Sequence, residues 1–213
     1  MIKGVNRMKK YMSVMMLAAR NSIYKIIGLL VVTGAVQLGV FYLLINRITD
    51  WKGAYYDFVL DQSSPVNWIA VISGISLVLV CMLLIYPECE YGGSRISYSI
   101  GRLQAAEKSI FFLWTIYHVI ILMIFWFVQI LIAYGACVIC LNQPGAASMA
   151  DAQSIFLAFY LDDFLHSLMP LHESSRYIRN VFLILGMAFS ISDFSWKQRR
   201  GRKSFSIVVL LLG

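Results

Sequence analysis

Long runs without one charged residue divide this chain, and they predict its helices. Three such runs cover 26–46, 62–87 and 109–150, which are 21, 26 and 42 residues long. Two shorter runs follow at 180–192 and 204–213. A helix rises about 1.5 Å per residue, so each of the first two runs suits one crossing of a hydrocarbon core about 30 Å thick. The third is read as one long helix to about Leu141, with an uncharged exit through Asn142, Gln143, Pro144 and Gly145. Pro87 is expected to end the second span. The fourth run reaches across only with Arg179 and Trp196 at opposite interfaces and the arginine snorkelling. The pattern predicts an all-α integral membrane protein, a polytopic helical bundle in a single transmembrane domain over 1–213. Its spans fall at about 24–45, 66–86, 110–141 and 177–196, with a fifth begun at 205–213 and cut short.

Two further segments have patterns of their own. Over 7–22, Met8, Tyr11, Met12, Met15 and Ala19 recur at helical spacing, while Lys9, Lys10, Ser13 and Arg20 offer polar positions. That periodicity predicts an amphipathic helix lying on the membrane surface before the chain turns into the first span. Arg20 and Lys25 interrupt what would be the apolar region of a signal peptide. Residues 142–176 are expected to form an external loop or re-entrant segment. A full span there would bring the adjacent Asp162 and Asp163 near mid-membrane, at a cost of several kcal/mol.

Composition agrees with this reading and excludes others. Hydrophobic residues make up 60% of the chain and charged residues 14%, against about 25% charged in soluble domains. A soluble enzyme of this size cannot bury so much apolar surface. The four cysteines are too few for a disulfide scaffold.

The charges give an orientation. The segments before span one, between spans two and three, and after span four hold 14 Lys and Arg against four acids, a net of +10. The alternate segments hold four Lys and Arg against seven acids, a net of −3. Positive charge concentrates on the cytoplasmic side of membrane proteins, so the amino terminus is expected in the cytoplasm and the chain in the plasma membrane. The basic balance then reflects an anionic lipid bilayer as partner rather than nucleic acid.

Candidate chemistry is sparse. Gln37, Gln129 and His118 lie inside spans as a possible polar pathway or as interhelical contacts. Asp162, Asp163, His166, His172 and Glu173 are the candidates for a metal site, because Asp162 and His166 are four apart and share a helix face. They match no zinc signature. Cys137 and Cys140 form one Cys-x-x-Cys within an apolar helix, where packing is the expected role. No Walker loop and no nucleophile elbow occurs, so no catalytic constellation emerges.

The loop at 87–108 carries the clearest motif. After Glu88 comes Glu90-Tyr91-Gly92-Gly93-Ser94-Arg95, then a hydrophobic stretch, Gly101-Arg102 and Lys108 at the third span. Ile96, Ile100 and Leu103 suggest a short amphipathic helix. This loop resembles that of membrane subunits of type-2 ABC transporters, the exporter-type permeases. It departs from their pattern in the extra Gly93 and in lacking a proline before Ser94-Arg95. The resemblance implies that two permease subunits pair, as a homodimer or heterodimer, and that separate ABC ATPase subunits bind ATP and Mg. This chain would then hold no cofactor and perform no catalysis. Glu88, Glu90, Tyr91, Gly92, Arg95 and Arg102 would couple to the ATPase. Two other readings stand beside it: a membrane-embedded metal-dependent enzyme using the Asp/His segment, and a non-transporting accessory membrane protein.

Overall fold

The computed structural model describes residues 2–47, 65–89, 107–142, 152–171 and 173–199. Among them the fold is all-α. Its helices are α1 (Ile2–Ile45), α2 (Pro65–Cys89), α3 (Glu107–Leu141), α4 (Ala152–Leu161), α5 (Asp163–Leu168) and α6 (Ser174–Arg199). Four contain stretches long and apolar enough to cross a membrane: Ser22–Ile45, Pro65–Ile85, Lys108–Leu141 and Ser174–Lys197. The chain is thus an all-α, multi-pass membrane protein. The expected fifth span at 205–213 lies outside the described residues.

Local sequence explains the boundaries. Pro65 opens α2 at the first helical position, where its missing N–H would have had no helical partner. Contrary to expectation, α2 does not stop at Pro87 but continues to Cys89. A proline so near the end forfeits one ladder bond, and its fixed φ is compatible with the helix. The amino-terminal segment also differs from expectation. In place of an interfacial helix, a turn and a span, α1 is one unbroken helix of 44 residues. No glycine or proline falls between Val5 and Ile27, so nothing in the backbone interrupts it. Helix α6 runs unbroken through both Arg179 and Trp196.

The segment expected as a loop or re-entrant element holds α4 and α5. Their 10 and 6 residues reach about 15 Å and 9 Å, well short of a 30 Å core. Neither crosses by itself. The break between them is Asp162, whose extended backbone (φ −82°, ψ 125°) ends one helix and caps the next.

The chain forms two compact units. The first takes its described residues from 1–28, 78–123 and 182–213. Its buried side chains recur at helical spacing: Ile110, Trp114, Tyr117, Ile121 on α3, and Ile184, Ala188, Ile191, Ser195 on α6. The second unit takes its residues from 29–77 and 124–181. Its core joins Phe41 and Ile45 of α1, Val66 and Ile69 of α2, Ala133 and Ala136 of α3, and Phe159 and Leu165 of α4 and α5. Lipid is as apolar as these side chains, so close packing and interhelical polar contacts must hold such helices together. Gly34 shows how close the packing is. A Cβ placed there would lie 3.3 Å from Cδ1 of Ile132.

Candidate functional site

Polar side chains are buried at eleven described positions, and four of them, Thr33, Ser76, Thr115 and Ser195, donate to carbonyls of their own helix. The Thr33 hydroxyl donates to the carbonyls of Leu29 (2.9 Å) and Leu30 (3.2 Å). Ser76 donates to Ser73 O (2.8 Å), and Ser195 to Ile191 O (2.9 Å). Such bonds remove a donor from the apolar interior without linking one helix to another.

The glutamines do link helices, within the second unit. Gln37 is completely buried on α1 and Gln129 is 2% exposed on α3. Gln37 Nε2 donates to Gln129 Oε1 at 3.2 Å and to the Ile69 carbonyl of α2 at 3.3 Å. One amide therefore ties three spans. The other two atoms of the pair, Gln37 Oε1 and Gln129 Nε2, have no hydrogen-bond partner among the described residues. An open donor and an open acceptor in an apolar bundle are costly unless a further group satisfies them.

His118 belongs to the first unit, fully buried on α3. Its Nδ1 lies 2.9 Å from the Ser192 hydroxyl of α6. The rings of Trp114 and Tyr117 stand edge-on or tilted to it at 6.3 and 6.0 Å. The Tyr117 and Ser22 hydroxyls meet at 2.6 Å. Tyr117 and Ser192 were not singled out from sequence. The signal available was their place on the same buried stripes as His118 and Ile191.

The Asp/His segment has structural roles. Asp162 is 6% exposed, and its Oδ1 accepts from the Leu165 backbone N–H at 2.8 Å as the N-cap of α5. Burial pushes its carboxyl above the ordinary value of 3.8, against the lowering effect of backbone N–H groups at Leu165 and Phe164. Asp163 is exposed. The His166 ring packs edge-on against Tyr160 at 5.9 Å. Glu173 pairs with Arg176 through an exposed ion pair, and His172 lies outside the described residues. Among the described residues no group of three or more His, Cys, Asp or Glu could hold a metal ion. Cys137 and Cys140 border, with Phe41, Ile69, Ala133 and Asp162, a mainly apolar cavity of about 20 Å³, room for about one water.

Of the coupling residues, Glu88 falls in the last turn of α2, and its side chain is outside the described residues. So are Glu90, Tyr91, Gly92, Arg95 and Arg102. What the structure supplies is their setting in the chain. The second span's helix ends at Cys89 and the third span's helix begins at Glu107.

Comparison with protein-family models, with curated proteins and with solved structures finds no match to this chain. The class is therefore defined by the helices themselves: a multi-pass membrane protein with four candidate spans.

Proposed function

We propose that this chain is the transmembrane permease subunit of an ATP-driven ABC transporter of the exporter type. One observation carries the reading. The Glu90–Arg95 and Gly101-Arg102 motif lies in sequence between the helix that ends at Cys89 and the helix that opens at Glu107. That is where type-2 permeases carry the element that docks on the ATPase. Lys108, at the start of α3, matches the basic residue that opens their third span. In this reading the basic segments face the cytoplasm of the plasma membrane, and two permease subunits pair above two ATPases. ATP closes the ATPases, and the loop carries that movement into the spans. The permease itself does no chemistry.

The metal-dependent enzyme has less support. Asp162 is engaged as a helix cap and His166 packs on a tyrosine, so two of its candidate ligands already have structural work.

Co-purification tests the proposal. The tagged chain, extracted in mild detergent from its own host, should bring down a soluble ATPase with a Walker loop. Glu90→Ala and Arg95→Ala together should reduce recovered ATPase at least fivefold while the permease still folds, judged by its circular dichroism. Recovery of no ATPase, or equal recovery with both variants, would reject the coupling-loop reading.

A further inference from the structure

Within the first unit, α3 and α6 reach one edge of the membrane together. His118 meets Ser192, and the rings of Phe111 and Trp196 stand edge-on at 6.4 Å. Earlier positions on α3 thus meet later ones on α6, so the two helices run antiparallel. The apolar stretch of α3 opens at Lys108, and that of α6 closes at Lys197. Tryptophan favours the headgroup level of a bilayer, and Trp196 marks that depth one turn of α3 from Lys108. The two lysines at this edge differ. Lys197 pairs with Asp193 at 2.6 Å. Lys108 is exposed and makes no ion pair or side-chain hydrogen bond among the described residues. The Ser109 hydroxyl makes none among them either. Both residues line an open cavity of about 400 Å³, together with Phe112 and Leu113. Sites for small ligands span about 300–1,000 Å³, so the cavity has room for one.

We infer that this cavity holds one anionic glycerophospholipid, such as phosphatidylglycerol, by its phosphodiester. The Lys108 ammonium pairs with the phosphate, and the Ser109 hydroxyl donates to one of its oxygens. Phe112, which is 58% exposed, and Leu113 take the first carbons of an acyl chain. The four positions share one face of α3, since residues four apart lie one above the other. Along that face a cation and a hydroxyl come first, at the interface, and two large apolar side chains follow one turn further into the span. A lipid presents the same sequence, phosphate and then hydrocarbon. A soluble phosphate matches only the outer half of the cavity and leaves Phe112 and Leu113 uncovered. A zwitterionic lipid carries its own ammonium, which competes with Lys108 for the phosphate. The site stands apart from the permease reading, because it needs neither an ATPase nor a second subunit.

The test uses the intact chain alone, delipidated in mild detergent and titrated with dioleoylphosphatidylglycerol or dioleoylphosphatidylcholine. Native mass spectrometry counts the lipids retained by each molecule. The first phosphatidylglycerol should bind about fivefold more tightly than phosphatidylcholine, which is what one lysine beside anionic headgroups supplies. Lys108→Gln should remove that preference. Lys197→Gln takes the same charge from the same edge and should leave it intact, because Asp193 already occupies Lys197. Phe112→Ala should weaken both lipids. Equal affinity for the two lipids in the native chain overturns the inference, and that comparison stands even if a variant fails to fold. Equal losses in Lys108→Gln and Lys197→Gln also overturn it, since they would mean diffuse attraction to a basic edge. So does displacement of the lipid by an equal concentration of soluble glycerol phosphate, which would mean that the apolar wall contributes nothing. No ATPase is present, so a negative result leaves the co-purification experiment unaffected, and the reverse holds too.

Discussion

At the scale of single residues, buried polar groups in this chain do two different jobs. Hydroxyls such as Thr33 and Ser76 are satisfied by their own helix. Gln37 and Gln129 join separate helices. The difference predicts non-additive stability. Gln37→Leu strands the Gln129 amide and should cost about 1–3 kcal/mol. The double variant Gln37→Leu, Gln129→Leu should cost less than the two single losses combined, with a coupling of about 1 kcal/mol. Unfolding in mixed micelles with increasing SDS would measure the cycle, and strict additivity would mean that the bond contributes nothing. Asp162 supports a prediction about pH. Its folded pKa is raised by burial, so the folded chain holds this proton more tightly than the unfolded chain does. Stability should therefore fall as pH rises from the ordinary aspartate value towards the raised one. Asp162→Asn keeps an oxygen to cap Leu165 N–H and should flatten this dependence. Asp162→Ala loses the cap and should cost about 1 kcal/mol at low pH, and less as pH rises, because the variant lacks the titrating group. Hydrogen exchange of α5 amides between pH 4 and 8 would show both effects.

At the scale of elements, the approach of α1 to α3 in the second unit depends on Gly34. Ile132 already lies within 3.3 Å of where a Cβ would stand. Gly34→Leu should overpack this contact and cost about 1–3 kcal/mol. Gly39→Leu, on the same helix with nothing within 4 Å, should be close to neutral. Thermal unfolding of the two variants side by side would check the contrast. These helices were legible in the sequence to different degrees. The runs 26–46 and 62–87 foretold spans because lipid excludes charge along a whole helix. The continuity of α1 was not legible. The amphipathic spacing over 7–22 suggested a separate surface helix, yet a change of polarity does not break a helix, and only backbone chemistry would. Gln37 and Gln129 stood out as polar residues in apolar runs. Their pairing across 92 positions depends on how α1 and α3 are rotated about their axes, and no local pattern states that. Asp162 stood out as an acid near a histidine. Its capping role depends on its extended backbone, which spacing does not report.

At the scale of the whole molecule, sidedness depends on how often the chain crosses between Ser94 and Ser175. Helix α3 is long and apolar enough to cross once, and α4 and α5 are each too short to cross. One crossing places Ser94 and Ser175 on opposite faces. It also keeps Lys197–Lys203 on the same face as the amino terminus, with the net +10 together and the net −3 apart from it. Had 151–172 formed a span, the count would be two. Ser94 and Ser175 would then share a face, and five Lys and Arg after Trp196 would lie with the acids, against the usual distribution of positive charge. Single cysteines decide between these cases. In a cysteine-free background, Ser175→Cys should react with a membrane-impermeant maleimide in intact cells. Ser94→Cys should react only in inverted vesicles. Labelling of both from the same face would overturn the four-span arrangement.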